Sequence, residues 1–423
     1  MRRRLVLIAY NAAMSLSVRQ ILAHQGYAFP KLLSYRILMV LSYQMMMVAI
    51  GWHIYELTHD PWSLGLIGLA EVIPYMGSAL FAGHAVDHYF SRRGFAVVSA
   101  LFLALNAGLL VLITQHPSPQ AAWWIYGTVA LTGFARALIS PSYNTLFALI
   151  IPRASIAKAS GIGSSMFQIG LIVGPAIGGL LIGFADKSMA YGLSALLALA
   201  AAIAATTLRV KEHHNHAPMK VFASIGEGLR FVRRTQVVLG AQLLDMFAVL
   251  FGGTVAMLPA FVHDIYQMGP EGLGVLRAAP AVGAIVTSLW LAKHPIHQHS
   301  GRWLLLAVAG FGVCMIAFGL CSTYWLAIVI LAISGMMDAV SVILRQTILQ
   351  LATPDNMRGR VSAINGIFIG SSNELGAFES GLTARLMGLV PSVVFGGCMT
   401  IAVVGVTAIK APKLRDLHLS QLH

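Results

Sequence analysis

Six ionisable residues stand where a soluble protein would rarely keep them. Glu71, Arg136, Asp245, Arg277, Asp338 and Glu374 each interrupt a stretch made mostly of Ala, Gly, Ile, Leu, Met, Phe and Val. Placed on helices, Glu71, Arg136, Arg277 and Asp338 lie about 12–21 Å from the nearest helix start at 1.5 Å per residue. In a bilayer a charge at that depth costs roughly 3 kcal/mol or more, so it faces a cavity or another charge. Carboxylates held this way can exchange protons, and arginines can bind anionic groups or tune the acids. Asn373 and Glu379 extend the set. The plainer alternative is a group of structural ion pairs. Arg36 and Arg345 lie nearer helix ends and are expected to snorkel.

The elements that carry these residues follow from composition. The chain has 423 residues, 57% hydrophobic and 10% charged, with a mean hydropathy of +0.77. A soluble domain carries about a quarter charged residues, so this is the composition of a polytopic membrane protein. Runs of about 20 apolar residues, the length a spanning helix needs, predict helices over 32–57, 63–86, 94–115, 122–150, 160–184 and 188–208. A second six follow over 237–262, 271–293, 302–321, 323–351, 358–386 and 388–410. The division is an N-terminal extension (1–31), a six-helix bundle (32–208), a linker (209–236), a second six-helix bundle (237–410) and a tail (411–423). The basic start Arg2-Arg3-Arg4 followed by Leu5 to Leu16 is open to three readings: an amphipathic extension, an over-extended start with Met14 as initiator, or a signal peptide.

Most of the 28 Lys and Arg fall in alternate loops, with the tail and linker on the same side. The positive-inside rule makes that side cytoplasmic, with both termini there. Topology thus accounts for the net charge of +13 and removes nucleic acid as a partner. In the linker, apolar Phe222, Ile225, Leu229 and Val232 recur at helical spacing opposite basic residues. This predicts an amphipathic helix at the interface.

Residues 161–179 carry Gly161, Gly170, Gly174, Pro175, Gly178 and Gly179. Gly170, Gly174 and Gly178 share one helical face, which lets a second helix approach closely, and Pro175 loosens the helix. This row is expected to pack against the opposite half and seal the pathway. Two offsets reveal an internal repeat. A shift of 202 pairs Gly133 with Gly335, Gly174 with Gly376 and Gly179 with Gly381. A shift of 206 pairs Gly68-x-x-Glu71-x-x-Pro74-x-x-Gly77 with Gly274-x-x-Arg277-x-x-Pro280-x-x-Gly283. Charges invert between the copies: Glu71 corresponds to Arg277, and Arg136 to Asp338.

These residues resemble the major facilitator superfamily over about 30–410. The loop Gly83-His-Ala-Val-Asp87-His88-Tyr-Phe-Ser-Arg92-Arg93 is similar to that superfamily's gating loop, departing from it at His88, Phe90 and Ser91. The resemblance implies that Gly83, Asp87, Arg92 and Arg93 form a latch, with Asp87 beside the start of the eleventh span. The Gly161–Gly179 spacing resembles the superfamily's fifth-helix motif, which is associated with antiporting exporters. Gly51-Trp52 through Gly68 and Arg358 through Gly376 look like the enterobactin-exporter branch, which also resembles macrolide efflux proteins.

The resemblance implies an all-α fold of twelve transmembrane helices in two pseudo-symmetric six-helix bundles. It implies a proton-coupled exporter of a small amphipathic siderophore or drug in a bacterial inner membrane. Such a protein is expected to work as a monomer without a cofactor, the proton gradient being its driving force. An importer or uniporter is the alternative, and a non-transporting receptor a more distant one. No phosphate-cradling loop, nucleophile elbow or His-Glu zinc motif points to an enzyme. The histidines at 213, 214, 216, 294, 297 and 299 read as loop residues rather than metal ligands. Met45-Met46-Met47 reads as adaptable packing at a broad pocket, and Trp52, Trp62, Trp123, Trp124 and Tyr126 as an aromatic belt. Cys314, Cys321 and Cys398 lie in apolar runs and show no disulfide pattern.

Overall fold

The computed structural model describes residues 18–88, 91–116, 118, 120–152, 155–208, 221–294, 296, 298–354 and 357–419. All regular structure among them is helical. Six long helices come first: α1 (Val18–Thr58), α2 (Pro61–His88), α3 (Arg92–Gln115), α4 (Ala121–Ile150), α5 (Ile156–Phe184) and α6 (Lys187–Thr206). The linker helix α7 (Val221–Arg234) leads to α8 (Gln236–Phe251), α9 (Pro270–Lys293), α10 (Ser300–Leu320), α11 (Tyr324–Ala352), α12 (Arg358–Met387), α13 (Leu389–Lys410) and the short α14 (Pro412–Arg415). A 3-10 turn at Gly253–Met257 and a π turn at Phe261–Ile265 prolong α8 into a full span.

Among the described residues, nine helices are long and apolar enough to cross a membrane. Of the other long helices, α4 and α12 carry Arg136 and Glu374 within their spans.

The repeat governs the packing. In the first half α2 packs on α4, α3 on α6, and α1 on α5 and α6. In the second, α9 packs on α11, α10 on α13, and α8 on α12 and α13. Two seams join the halves, α2 with α12 and α5 with α9, and the same pseudo-symmetry relates them. A methyl on Gly68 of α2 would stand 2.8 Å from Ala377 Cβ on α12, and one on Gly274 of α9 would stand 2.8 Å from the Pro175 carbonyl on α5. A methyl on Gly381 would stand 2.5 Å from Gly65 Cα, and one on Gly179 would stand 2.7 Å from Gly274 Cα.

These contacts revise the role expected of the α5 glycines. Gly170, Gly174 and Gly178 do not touch the opposite half; they lie against Val40, Gln44 and Met45 of α1. The row that crosses the seam is Pro175, Gly179 and Gly183, one residue on. A single residue turns the helix by about 100°, enough to change which neighbour a row faces. Gly376 repeats the arrangement against Val249 and Leu250 of α8.

Gly161 lies five turns from Gly179 on the same face of α5, and no described atom comes within 4 Å of where its Cβ would be. Among the described residues, the glycine contacts of the α5–α9 seam therefore lie toward the end opposite the linker.

Several expected boundaries differ. Helix α1 starts at Val18 rather than 32, with Tyr27 (φ 64) and Pro30 setting its first turns apart from the span. Residues 1–17, including Met14, lie outside the described residues. The described part of the tail packs on the second bundle: Leu414, Leu417 and Leu419 are buried, and Leu414 packs on Gly240 of α8 and Gly301 of α10. Helix α7 docks on the start of α12. Its Glu227 pairs with Arg360, Gly228 lies against Ile364, and Val232 is buried while Leu229 is exposed.

Candidate functional site

The first cluster is built by two glycines. Gly68 brings α2 onto the Glu374 backbone of α12, and Gly133 brings α4 onto the Glu71 backbone of α2. Each precedes its charged residue by three positions, so Glu71 and Arg136 sit one turn beyond the closest approach of their helices. There the Arg136 guanidinium bonds Glu71 Oε1 at 2.9 Å and also pairs with Glu374. Tyr43 of α1 donates its hydroxyl to the same Glu71 oxygen at 2.8 Å. The Tyr75 ring lies 5.2 Å from the Arg136 guanidinium carbon. One arginine is thus shared by two carboxylates, one from each half.

Not every polar atom here is satisfied. Glu71 is fully buried, and its Oε2 has no hydrogen-bond partner among the described residues. Arg277 of α9 feels Tyr43 and Glu374 electrostatically but forms no ion pair among the described residues, and its buried Nε is unpartnered. A site with free donors and acceptors beside a shared arginine can exchange partners.

The second cluster is separate. Asp245 of α8 and Arg345 of α11 form an ion pair and both are buried. Asp338 lies near this pair, across a cavity of about 20 Å³ lined also by Phe311 and Ser341, large enough for about one water. Arg345 therefore does not snorkel, because its face of α11 is turned to α8. Arg36 does not snorkel either: its guanidinium carbon lies 4.1 Å from the Tyr143 ring centre and 5.3 Å from that of Phe167.

The structure thus divides the six expected residues. Glu71, Arg136 and Glu374 meet, with Arg277 nearby; Asp245 and Asp338 sit apart with Arg345. The inverted repeat does not produce an Arg277–Asp338 pair. Gly133 meets Glu71, but its counterpart Gly335 meets Pro280, three residues past Arg277. Asp338 therefore falls six residues beyond the level of Arg277, about 9 Å along the helix. Tyr43, Tyr75 and Arg345 are the members that sequence reasoning passed over. The depth of Tyr43 in a span, where a hydroxyl needs a partner, was the available signal.

For the gating loop, Gly83 and Asp87 end α2, and the Asp87 side chain lies outside the described residues. Arg93 donates to the Leu208 carbonyl at 3.2 Å, tying the loop to the end of α6. Met45 and Met46 are fully buried, so they fill the first bundle's core rather than line a pocket. Trp123 and Trp124 are exposed, as a belt requires, while Trp52 is buried against His263. His213, His214, His216 and His297 lie outside the described residues.

The sequence profile of the transmembrane secretion effector family matches residues 26–422. The chain is 27% identical over 351 residues to the enterobactin exporter EntS of Escherichia coli O1:K1, with 80% of each covered. The EntS of Escherichia coli O157:H7 strain EC4115 matches to the same extent. Three solved structures share the fold. A mutant of the nucleoside transporter NupG has a TM-score of 0.71 at 14% identity, covering 90% of this chain and 99% of that one. The peptide transporter POT in complex with sulfate has a TM-score of 0.72 at 12% identity, covering 96% and 100%. A bacterial homologue of the human lysosomal transporter Spinster, inward-facing and unoccupied, has a TM-score of 0.70 at 15% identity, covering 94% and 97%. With two six-helix halves meeting at a charged centre, the chain is a multi-pass secondary transporter and not an enzyme, and it belongs to the transmembrane secretion effector family of the major facilitator superfamily.

Proposed function

We propose that this protein exports a small amphipathic molecule, of siderophore or drug type, in exchange for protons. The observation that carries the reading is the sharing of Arg136 between Glu71 and Glu374 across the seam. A proton on Glu374 removes the attraction that holds Arg136 to the second half, and a proton on Glu71 releases it from the first. Each step changes which half the arginine binds, which is how protonation would bias the rocking of the halves. No cofactor is needed, and every group invoked lies within one chain.

The loop charges support a linker end that faces the cytoplasm of a bacterial inner membrane, with both termini there. An opening between the halves at that end admits cargo from the cytoplasm for export. The enterobactin exporters among the relatives favour the same direction.

The test is transport in proteoliposomes with pH gradients of each sign, for the wild type and for Glu71→Gln. Proton-driven efflux by the wild type and its loss in Glu71→Gln, with the variant still folded, are expected. Transport that ignores the pH gradient, or an undiminished Glu71→Gln, would sink the coupling. Movement down the substrate gradient alone would leave a uniporter.

A further inference from the structure

Between the linker end and the central cluster lies a second group of donors that the exchange mechanism does not use. Arg36 of α1 sits about 13 Å inside the span that begins at Tyr27, and Tyr143 and Gly163 lie about 10 Å from the linker ends of α4 and α5. The Arg36 guanidinium carbon lies over the Tyr143 ring, 4.1 Å from its centre, and 5.3 Å from the centre of the Phe167 ring. Stacking occupies the face of a guanidinium and leaves its in-plane N–H donors free. Arg36 has no carboxylate partner among the described residues. Tyr143 is buried, and its hydroxyl has no hydrogen-bond partner among the described residues.

The two donors converge on Gly163. A methyl there would stand 2.6 Å from the Tyr143 hydroxyl and 3.5 Å from Arg36 Nη1. The absence of a side chain at 163 thus lets the phenol and the cation close on the same turn of α5, with no acceptor supplied by the described residues. Helix α1 is packed by α4, α5 and α6, and α5 stands away from α9 at this level. The half-buried guanidinium therefore stands at a level where α5 has no glycine contact with α9.

We propose that Arg36, Tyr143 and Gly163 form a subsite for the anionic group of an aromatic ligand on the loading path to the central cluster. The guanidinium and phenol bind a carboxylate or similar oxyanion, and the Phe167 ring receives the ligand's apolar face. Arg277, also without a carboxylate partner, is the next cation inward, so the chain carries an anion-favouring relay. That the occupant is cargo rests on the export reading; the anion selectivity does not.

The experiment is equilibrium binding of naphthoate and its neutral isostere naphthamide to the purified full chain in nanodiscs, made either of phosphatidylcholine alone or with phosphatidylglycerol. Tighter binding of naphthoate, by about tenfold or more, is expected from a charge-assisted pair of hydrogen bonds. Arg36→Gln and Gly163→Ala should erase that preference, and Tyr143→Phe should reduce it. Glu71→Gln should keep it while losing proton-driven transport, which separates this proposal from the coupling mechanism. Equal binding of the two probes, or a preference that survives Arg36→Gln, would overturn the subsite. Naphthoate binding abolished by phosphatidylglycerol would assign the donors to a lipid headgroup and overturn the cargo role. Thermal unfolding of each variant shows that lost binding is not lost fold.

Discussion

Gly133 lies directly on the backbone of Glu71. A methyl on Gly133 would come within 3.1 Å of the Glu71 carbonyl carbon and nearer still to its oxygen, so only glycine lets α4 sit this close to α2. The approach carries Arg136, one turn further on, over the Glu71 carboxylate at 2.9 Å. The position of the exchange cluster is set by a residue with no side chain of its own.

Replacing Gly133 by Ala should therefore act on both packing and function. Overfilling a close-packed contact costs about 1–3 kcal/mol, and the displaced helix should weaken the Arg136–Glu71 bond. Gly133→Ala is expected to insert, to unfold at lower temperature in nanodiscs, and to lose most proton-driven efflux. Unchanged melting and transport would mean that the helices separate without cost and that Gly133 does not position the pair.

Much of this was readable from the chain, for identifiable reasons. Spans follow from apolar run length, and the halves from glycine and proline frames such as Gly68-x-x-Glu71 and Gly274-x-x-Arg277. Which residues meet is less readable, because it depends on rotation and slip between helices. Gly174 and Gly179 both belong to the repeat, yet one faces α1 and the other α9. Arg277 and Asp338 occupy the positions of Glu71 and Arg136, yet about one extra turn of slip parts them. Arg345 looked like an end residue by depth alone; only its rotation toward α8 makes it the partner of Asp245. The buried tail at Leu414, Leu417 and Leu419 was hidden because a short apolar segment after a span has no periodicity long enough to assign.

The Asp245–Arg345 pair should behave as a stability element. Both side chains are less than a tenth exposed, so removing one partner strands a buried charge, at roughly 3–5 kcal/mol. Arg345→Met should lower the melting temperature sharply, and Asp245→Asn combined with Arg345→Met should recover much of the loss. A double-mutant cycle read by thermal unfolding gives the coupling directly. If the two single losses simply add, the pair is not a stabilising unit. Because neither residue touches the Glu71 cluster, the double variant should retain proton-driven transport.

Gly174 and Gly179 permit a sharper separation of packing from gating. Gly179 meets Pro270 and Gly274 across the seam, with their nearest atoms 2.6 and 2.7 Å from where its Cβ would lie, whereas Gly174 meets Gln44 of its own half at 2.7 Å. Leucine at 179 should wedge the halves apart at the end opposite the linker; leucine at 174 should disturb only the first bundle. Spin labels at Thr58→Cys and Gln267→Cys, one on each half at that end, report the opening in a background lacking Cys314, Cys321 and Cys398. Electron–electron resonance should show a longer distance for Gly179→Leu, with transport lost because the closed state is no longer reached. Gly174→Leu should leave the distance as in the parent and lower the melting temperature instead. Matching distance distributions for Gly179→Leu and the parent would remove the α5–α9 glycine contact from the closure mechanism.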